Sequence, residues 1–234
     1  MNQFFYSNRI SKGLIHLECD EAYHALKVLR KKQGDKISVV NGLGSLYSAV
    51  IEEDEVNKCM LRVIEEKENY QKPNHHIHIA IAPTKSHDRM EWFVEKVVEI
   101  GIQEISFLQT QRTERKNIKI DRMKKRAISS MKQSLKAFLP LINECMDYED
   151  FLKTCSNNHK YVGYLDHENV KMLSKICKIN ENYCVMVGPE GDFTEQEIFD
   201  ALDSGFDCVS LSKSRLRTET AGLMACHMLN IINQ

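Results

Sequence analysis

Several things are missing from this sequence, and each absence closes a class of function. No apolar run approaches the ~18 residues that a membrane-spanning helix needs. The opening Met-Asn-Gln-Phe-Phe-Tyr carries no basic stretch and no small-residue cleavage site, so a cytoplasmic location is expected and a secretion signal is not. Eight cysteines are scattered without a Cys-x-x-Cys pair, the pattern of reduced thiols in a core and not of a disulfide framework. Gly-x-Gly-x-x-Gly is absent, and no glycine-rich loop ends in Lys-Ser/Thr. Nicotinamide-dependent and ATP-dependent chemistry therefore lose their usual phosphate cradles. His75, His76 and His78 cluster, but no acidic or cysteine partner stands nearby in sequence, so a polar strand edge is expected there and no metal centre. Proline is limited to four residues, and Pro73, Pro83, Pro140 and Pro189 each fall where an element has to stop.

What is present is a globular composition, 42% hydrophobic and 28% charged, long enough for one large domain or two small ones. The net charge of −1 gives nucleic acid no global attraction, yet the charge is segregated. Residues 112–136 hold ten Lys/Arg against Glu114 and Asp121, whereas residues 52–68 hold seven acids against three bases.

Two patterns divide the chain. Over residues 1–72, short β-rich runs at 4–6, 15–17, 36–40, 46–51 and 59–64 surround one short helix from Ala22 to Leu29. Asn41-Gly42 marks a hairpin, and the set predicts a small β-barrel domain. Over residues 73–234, strands alternate with helices. A strand at 77–82 precedes a helix capped by Ser86 or Asp88, with Met90, Phe93, Val94, Val97 and Val98 on one face and Gly101 closing it. A strand at 102–108, a basic helix from Asp121 to Phe138 and a strand at 161–165 follow. This alternation predicts an α/β domain with a parallel sheet.

Two strand–loop–helix segments near the carboxyl end carry the chemistry. In the first, the apolar run 183–187 stops at Gly188-Pro189-Glu190-Gly191, and Thr194 with Glu197 forms a capping box for the next helix. In the second, a strand at 208–211 leads through Ser212-Lys213-Ser214-Arg215-Leu216-Arg217 to a helix opened by Thr218 or Thr220. A Gly-Pro turn alone serves many proteins; two arginines, two threonines and a glutamate at a loop–helix junction form a sharper signal. Two such loops at one edge of a parallel sheet make a cofactor crevice, where glycine lets backbone approach and helix starts supply donors. Lys85 and Arg89, then Arg112 and Arg115, follow the two preceding strands and are expected at the same edge.

The paired motifs Gly188-Pro189-Glu190-Gly191 and Leu211-x-x-x-Arg215-Leu216-Arg217-Thr218-Glu219-Thr220-Ala221 resemble those of the bacterial 16S ribosomal RNA uridine-N3 methyltransferases, the RsmE family of the SPOUT class. His24-Ala25-Leu26-Lys27-Val28-Leu29-Arg30 is similar to a signature of the family's PUA-like amino-terminal domain. Arg89-Met90-Glu91, Glu99-Ile100-Gly101-Ile102, Gln133-Ser134 and Pro140 extend the likeness over essentially the whole chain. Asp192 stands where the family commonly has a second glycine, and Lys136 where an arginine is frequent.

The resemblance implies a PUA-like β-barrel over 1–72 and an α/β trefoil-knot domain over 73–234, paired as a homodimer. It also implies S-adenosylmethionine bound by Leu165, Gly188, Pro189, Glu190, Gly191, Leu211, Leu216, Arg217 and Thr218. The implied reaction is methylation of a uridine N3 in 16S rRNA of the small ribosomal subunit. Arg217 is expected to stabilise the uracil anion, and Glu219 to orient the base or take its proton. Phosphate contacts are expected from Arg9, Arg30, Lys85, Arg89, Arg112, Arg115 and Lys116. The alternative is a non-catalytic RNA-binding or ribosome-assembly factor of the same fold. A hydrolase or transferase using the Gly-Pro-Glu-Gly loop for phosphate lacks the lysine and metal cluster it would need. Cofactor binding separates these readings.

Overall fold

The computed structural model describes residues 3–115, 117–164 and 170–234. The chain divides into two compact units, one formed by Met1–Lys72 with Ile128–Leu139, the other by Pro73–Ala127 with Pro140–Gln234.

The first unit is a six-stranded curled sheet. Its elements are β1 (Phe4–Tyr6), β2 (Ile10–Ser11), β3 (Leu14–Leu17), α1 (Cys19–Tyr23), β4 (Lys36–Val40), β5 (Leu46–Glu55) and β6 (Lys58–Lys67). Strand order is β1-β4-β5-β6-β3-β2, antiparallel except for the β1–β4 pair. Strands β1 and β2 follow each other in sequence yet sit at opposite edges, so the sheet has to curl to let Ser7, Asn8 and Arg9 join them. Ser7 stitches the seam, its amide donating to the Val40 carbonyl (3.1 Å) and its hydroxyl to the His16 carbonyl (2.7 Å). Alternate residues of β5 (Tyr47, Ala49, Ile51) point inward onto Phe5, Leu17, Val39 and Leu61, the two-residue period of a half-buried strand. The expected 22–29 helix begins earlier, at Cys19, because the Glu18 carbonyl already accepts the Ala22 amide. From His24 to Val28 it widens into a π-turn, with the Leu29 amide reaching back to His24. Arg30 ends it in the left-handed region, at φ 57°.

The second unit carries a parallel sheet. In chain order its elements are β7 (His76–Ile81), α2 (His87–Ile100), β8 (Glu104–Gln109), α3 (Ile120–Gln133), β9 (Leu141–Asp147), α4 (Tyr148–Thr154), β10 (His159–Gly163), α5 (Leu173–Ile176), β11 (Asn182–Val187), α6 (Glu195–Asp203), β12 (Asp207–Val209) and α7 (Thr218–Ile232). Strand order is β12-β10-β11-β7-β8-β9, with every pairing parallel. The apolar face predicted for α2 is buried as expected, through Met90, Phe93, Val94, Val97 and Val98. After β12, α7 returns over the sheet to pack on α2, β7 and β11.

The basic helix stops at Gln133 and not at Phe138. The Ser134 hydroxyl bonds the Ser130 carbonyl (2.8 Å), Leu135 turns left-handed at φ 56°, and the Lys136 amide closes on Met131. Residues 128–139, expected with the second domain, pack within the first unit: Phe138 bridges Leu43 and covers Gly44, and Lys132 pairs with Glu21 in a half-buried contact. Strand β9 was not anticipated. Leu141-Ile-Asn-Glu-Cys-Met-Asp is an edge strand with few buried positions, so its apolar pattern is weak.

Candidate active site

Open parallel sheets bind ligands at the carboxyl ends of their strands, near the point where chain order reverses. Here β8 and β9 build outward from β7 on one side, and β11, β10 and β12 lie on the other. A cleft of about 640 Å³ opens at the ends of β10, β11 and β12, inside the range of roughly 300–1,000 Å³ usual for small-molecule and cofactor sites. Three loops wall it: Gly163-Tyr164 after β10, the Val187–Asp192 segment after β11, and Leu211 through Thr218 after β12, with Ala221 of α7 behind.

The two sequence motifs therefore meet, but not on neighbouring strands, because β10 lies between β11 and β12. Gly163 is the seam. A Cβ there would stand 2.9 Å from Leu211 Cδ1, so the loop after β12 closes tightly over the end of β10 at a glycine. Of the expected cofactor residues, Gly188, Pro189, Glu190, Leu211, Leu216, Arg217 and Thr218 line the cleft. Gly191 sits just outside, against the side chain of Arg112, and Leu165 lies outside the described residues. Asp192, noted in the sequence as a departure beside this loop, also lines the cleft, as do two residues that were not expected there, Gly163 and Tyr164. These two follow an ordinary strand with no local signature.

The helices leaving these loops begin differently. Helix α6 caps itself: the Thr194 side chain accepts the Glu197 amide, and the Glu197 carboxylate accepts the Thr194 amide (2.8 Å). Helix α7 has Arg217 at its N-cap and no side-chain cap. Its first amides have no intrahelical acceptor, and they carry the positive end of the helix dipole. Arg217 is exposed in the cleft and Thr218 is buried in its wall. Glu219 follows, 6% exposed. One carboxylate oxygen is 3.7 Å from the Arg89 guanidinium, and the other, Oε2, is buried without a hydrogen-bond partner among the described residues. A buried carboxylate oxygen left unpaired is costly.

Lys85, Arg89, Arg112 and Arg115 follow the strands at this edge as expected, and each has a partner within the protein. Arg89 faces Glu219. Arg112 Nη1 donates to the Gly191 carbonyl (2.7 Å). Arg115 Nε donates to the Lys85 carbonyl (2.8 Å), and its Nη1 contacts the His87 ring. The Lys85 amide donates to Glu190 Oε1 (3.1 Å) and its ammonium pairs with Glu114 (2.8 Å). Burial first, then the Arg115, Lys119 and Arg122 charges, lower the His87 pKa, which marks a positive local field. On α3, Arg122 and Arg126 are held by Glu91 of α2 at 2.5 and 3.1 Å. Lys116 lies outside the described residues. Arg9 and Arg30 are exposed on the first unit.

The residues present suit the expected cofactor. Val187, Pro189, Leu211, Leu216 and Ala221 offer apolar walls for a purine, and the uncapped start of α7 offers donors to a carboxylate or carbonyl oxygen. Asp192 takes the left-handed conformation (φ 61°) that a glycine would take freely, and its Oδ1 accepts the Phe193 amide (2.8 Å).

Fold and cleft together define an α/β cofactor-binding enzyme with an amino-terminal β-domain. A family model described as RNA methyltransferase domain matches residues 71–230, and one described as RNA methyltransferase PUA domain matches residues 17–63; the chain belongs to this RNA methyltransferase family. A probable rRNA-methyltransferase from Porphyromonas gingivalis is 38% identical, with TM-score 0.92 over 99% of this chain and 98% of that one. Ribosomal RNA small subunit methyltransferase E from Neisseria gonorrhoeae, solved bound to S-adenosyl methionine, is 26% identical, with TM-score 0.89 over 100% of this chain and 98% of that one. The protein of the same name from Rickettsia conorii is 27% identical over 99% of this chain and 96% of its own length.

Proposed function

We propose that the protein is an S-adenosylmethionine-dependent methyltransferase acting on N3 of a uridine in 16S rRNA of the small ribosomal subunit. It works in the cytoplasm as a homodimer, with the return of α7 over the sheet forming the crossing of a trefoil knot. The second unit carries the chemistry and the first grips RNA. The observation that supports this reading is the cleft at the ends of β10, β11 and β12, which Arg217 and Thr218 line at the start of α7, with Glu219 buried next to them and outside the lining.

When bound, S-adenosylmethionine supplies a methyl group on a sulfonium cation. Uracil N3 is a weakly acidic imide, and the protein has to favour its loss of a proton and hold the resulting anion. Arg217, exposed in the cleft, is suited to the negative charge that spreads onto the uracil oxygens. Glu219 Oε2, buried and unpaired, is suited to take the proton or to orient the base. Arg9, Arg30, Lys85, Arg89, Arg115 and Lys116 are the candidate RNA contacts, and Arg9 and Arg30 are exposed on the first unit.

The test is transfer of labelled methyl from S-adenosylmethionine to small subunits that lack the modification, with the nucleoside identified by mass spectrometry. N3-methyluridine at one site is expected. Arg217→Ala should lose ~100-fold or more in turnover at saturating cofactor and RNA. Cofactor binding without transfer would point to another RNA or another base; neither transfer nor cofactor binding would favour the non-catalytic assembly factor.

A further inference from the structure

Arg112 belongs to the basic segment and stands at the ligand-binding edge of the sheet, which makes it a natural candidate for an RNA phosphate. Its surroundings point elsewhere. Its Nη1 donates to the Gly191 carbonyl at 2.7 Å and lies 3.4 Å from the Phe193 carbonyl, so one guanidinium spans the outer side of the Gly-Pro-Glu-Gly loop. Its aliphatic stem packs on the same loop: a Cβ at Gly191 would meet Arg112 Cδ at 3.3 Å and Cβ at 3.5 Å. The neighbouring Gln111 amide donates to Glu197 Oε1 at 2.7 Å, and the other oxygen of that carboxylate holds the Thr194 amide. Thr110 and Thr113, both buried, lock the turn that presents Arg112 through a 3.0 Å amide–hydroxyl bond and a 2.9 Å hydroxyl contact. The 110–113 turn after β8 is thus fastened to the loop after β11 at Gly191 and Phe193, and to the first turn of α6 at Glu197.

We propose that Arg112 is a positioning residue for the cofactor loop and not a phosphate contact. The idea rests on the reading of the cleft as the S-adenosylmethionine site. The Gly188–Asp192 segment contributes one wall of that cleft, yet its own internal support among the described backbone bonds is the single turn from the Asp192 amide to the Pro189 carbonyl (3.0 Å). Arginine suits the task because its rigid planar guanidinium holds Nη1 fixed between the two carbonyls, whereas a lysine ammonium is a compact, strongly hydrated charge on a flexible stem. Fixing the loop before binding reduces the ordering cost that binding would otherwise carry.

S-adenosylmethionine is titrated calorimetrically into the full chain, wild type, Arg112→Lys and Arg112→Ala. Binding of a small-subunit rRNA fragment is measured in parallel as a function of salt. Cofactor affinity should fall in the order wild type, Lys, Ala, with about tenfold lost in the alanine variant, equivalent to ~1.4 kcal/mol. KM for S-adenosylmethionine should rise while kcat at saturating cofactor holds, and the salt slope of RNA binding should be the same in all three. Arg112→Lys keeps the charge, so a phosphate contact would leave its RNA affinity near wild type and all three cofactor affinities equal within about twofold; that result overturns the proposal. A wild-type chain that binds no S-adenosylmethionine refutes the reading of the cleft, and the brace with it.

Discussion

Gly222 sits where α7 crosses α2 and β7, and alanine there sets two effects against each other. A Cβ at this position would lie 2.6 Å from Phe93 Cε2, 3.0 Å from Ile81 Cδ1 and 3.3 Å from Phe93 Cδ2. Both neighbours are fully buried, so neither can swing into solvent. Against the clash, alanine is the better helix former by about 0.8–1 kcal/mol in a helix interior. Overpacking a closed core costs about 1–3 kcal/mol. The clash should win by ~1 kcal/mol, which for a chain of this size lowers Tm by roughly 2–4 °C. The functional effect should exceed the loss of stability. Relief of a 2.6 Å contact requires α7 to move away from α2, and Thr218 and Ala221 in its first turns line the cleft. Thermal unfolding and S-adenosylmethionine titration of Gly222→Ala measure the two effects separately. A raised Tm with unchanged cofactor affinity would show that helix propensity dominates and that α7 packs loosely enough to accept the methyl, which would refute this account of why the helix sits where it does.

Arg30→Gly should weaken rRNA binding and reduce the salt slope by about 1, without loss of stability. Left-handed backbone costs a non-glycine residue ~1–2 kcal/mol, and glycine's extra freedom when unfolded offsets about 0.4–1 kcal/mol of the relief; a lower Tm together with unchanged RNA affinity would contradict both halves. Acid should weaken the fold through His78, whose ring is buried against Ser106 and Asn157, with Glu104 and His76 the charged groups facing it. Burial lowers the His78 pKa below its ordinary 6.5, so the unfolded chain takes up the proton first. Its stabilisation is fully present above about pH 6.5 and is lost as pH falls towards the folded pKa, by up to ~1.4 kcal/mol per pH unit. Urea unfolding at stepped pH should show a shallower acid slope for His78→Gln; identical slopes would remove His78 from the account.

How much of the fold the sequence disclosed depended on how local each signal was. Helix α2 was legible because its buried face repeats with helical spacing and its ends carry Ser86 and Gly101. The curled sheet was legible because its strands alternate and Asn41-Gly42 marks the turn between β4 and β5. Strand β9 was hidden, since an edge strand with polar residues on both faces gives little period-two signal. The end of α3 was hidden for another reason. Residues 134–139 keep an acceptable helical composition up to Pro140, and what stops the helix is the tertiary contact of Phe138 with Leu43 and Gly44. The basic segment was legible as charge but not as partnership. Arg122, Arg126 and Lys132 find Glu91, Glu95 and Glu21, the first two on α2 and the third 111 residues away in sequence.

At the site, the paired motifs could be read because each is a contiguous strand–loop–helix segment. The places of Gly163 and Tyr164 in the cleft, and the contact of Arg112 with Gly191, could not be read, because they arise only when β10 is inserted between β11 and β12 and when the turn after β8 meets the loop after β11. The capping pattern nevertheless carried more than it first disclosed. Thr194 and Glu197 spend their side chains on the start of α6, and Glu197 then serves the Gln111 amide as well. That helix start is consumed by the protein. Arg217 leaves the start of α7 uncapped, although threonines follow at 218 and 220, where their hydroxyls cannot act as the N-cap. Orphan amides at a buried helix start need an acceptor. Side-chain caps are absent at α1, α2, α4 and α5 as well, so what distinguishes the start of α7 is its place: Arg217 and Thr218 line the cleft, and Glu219 is buried next to them.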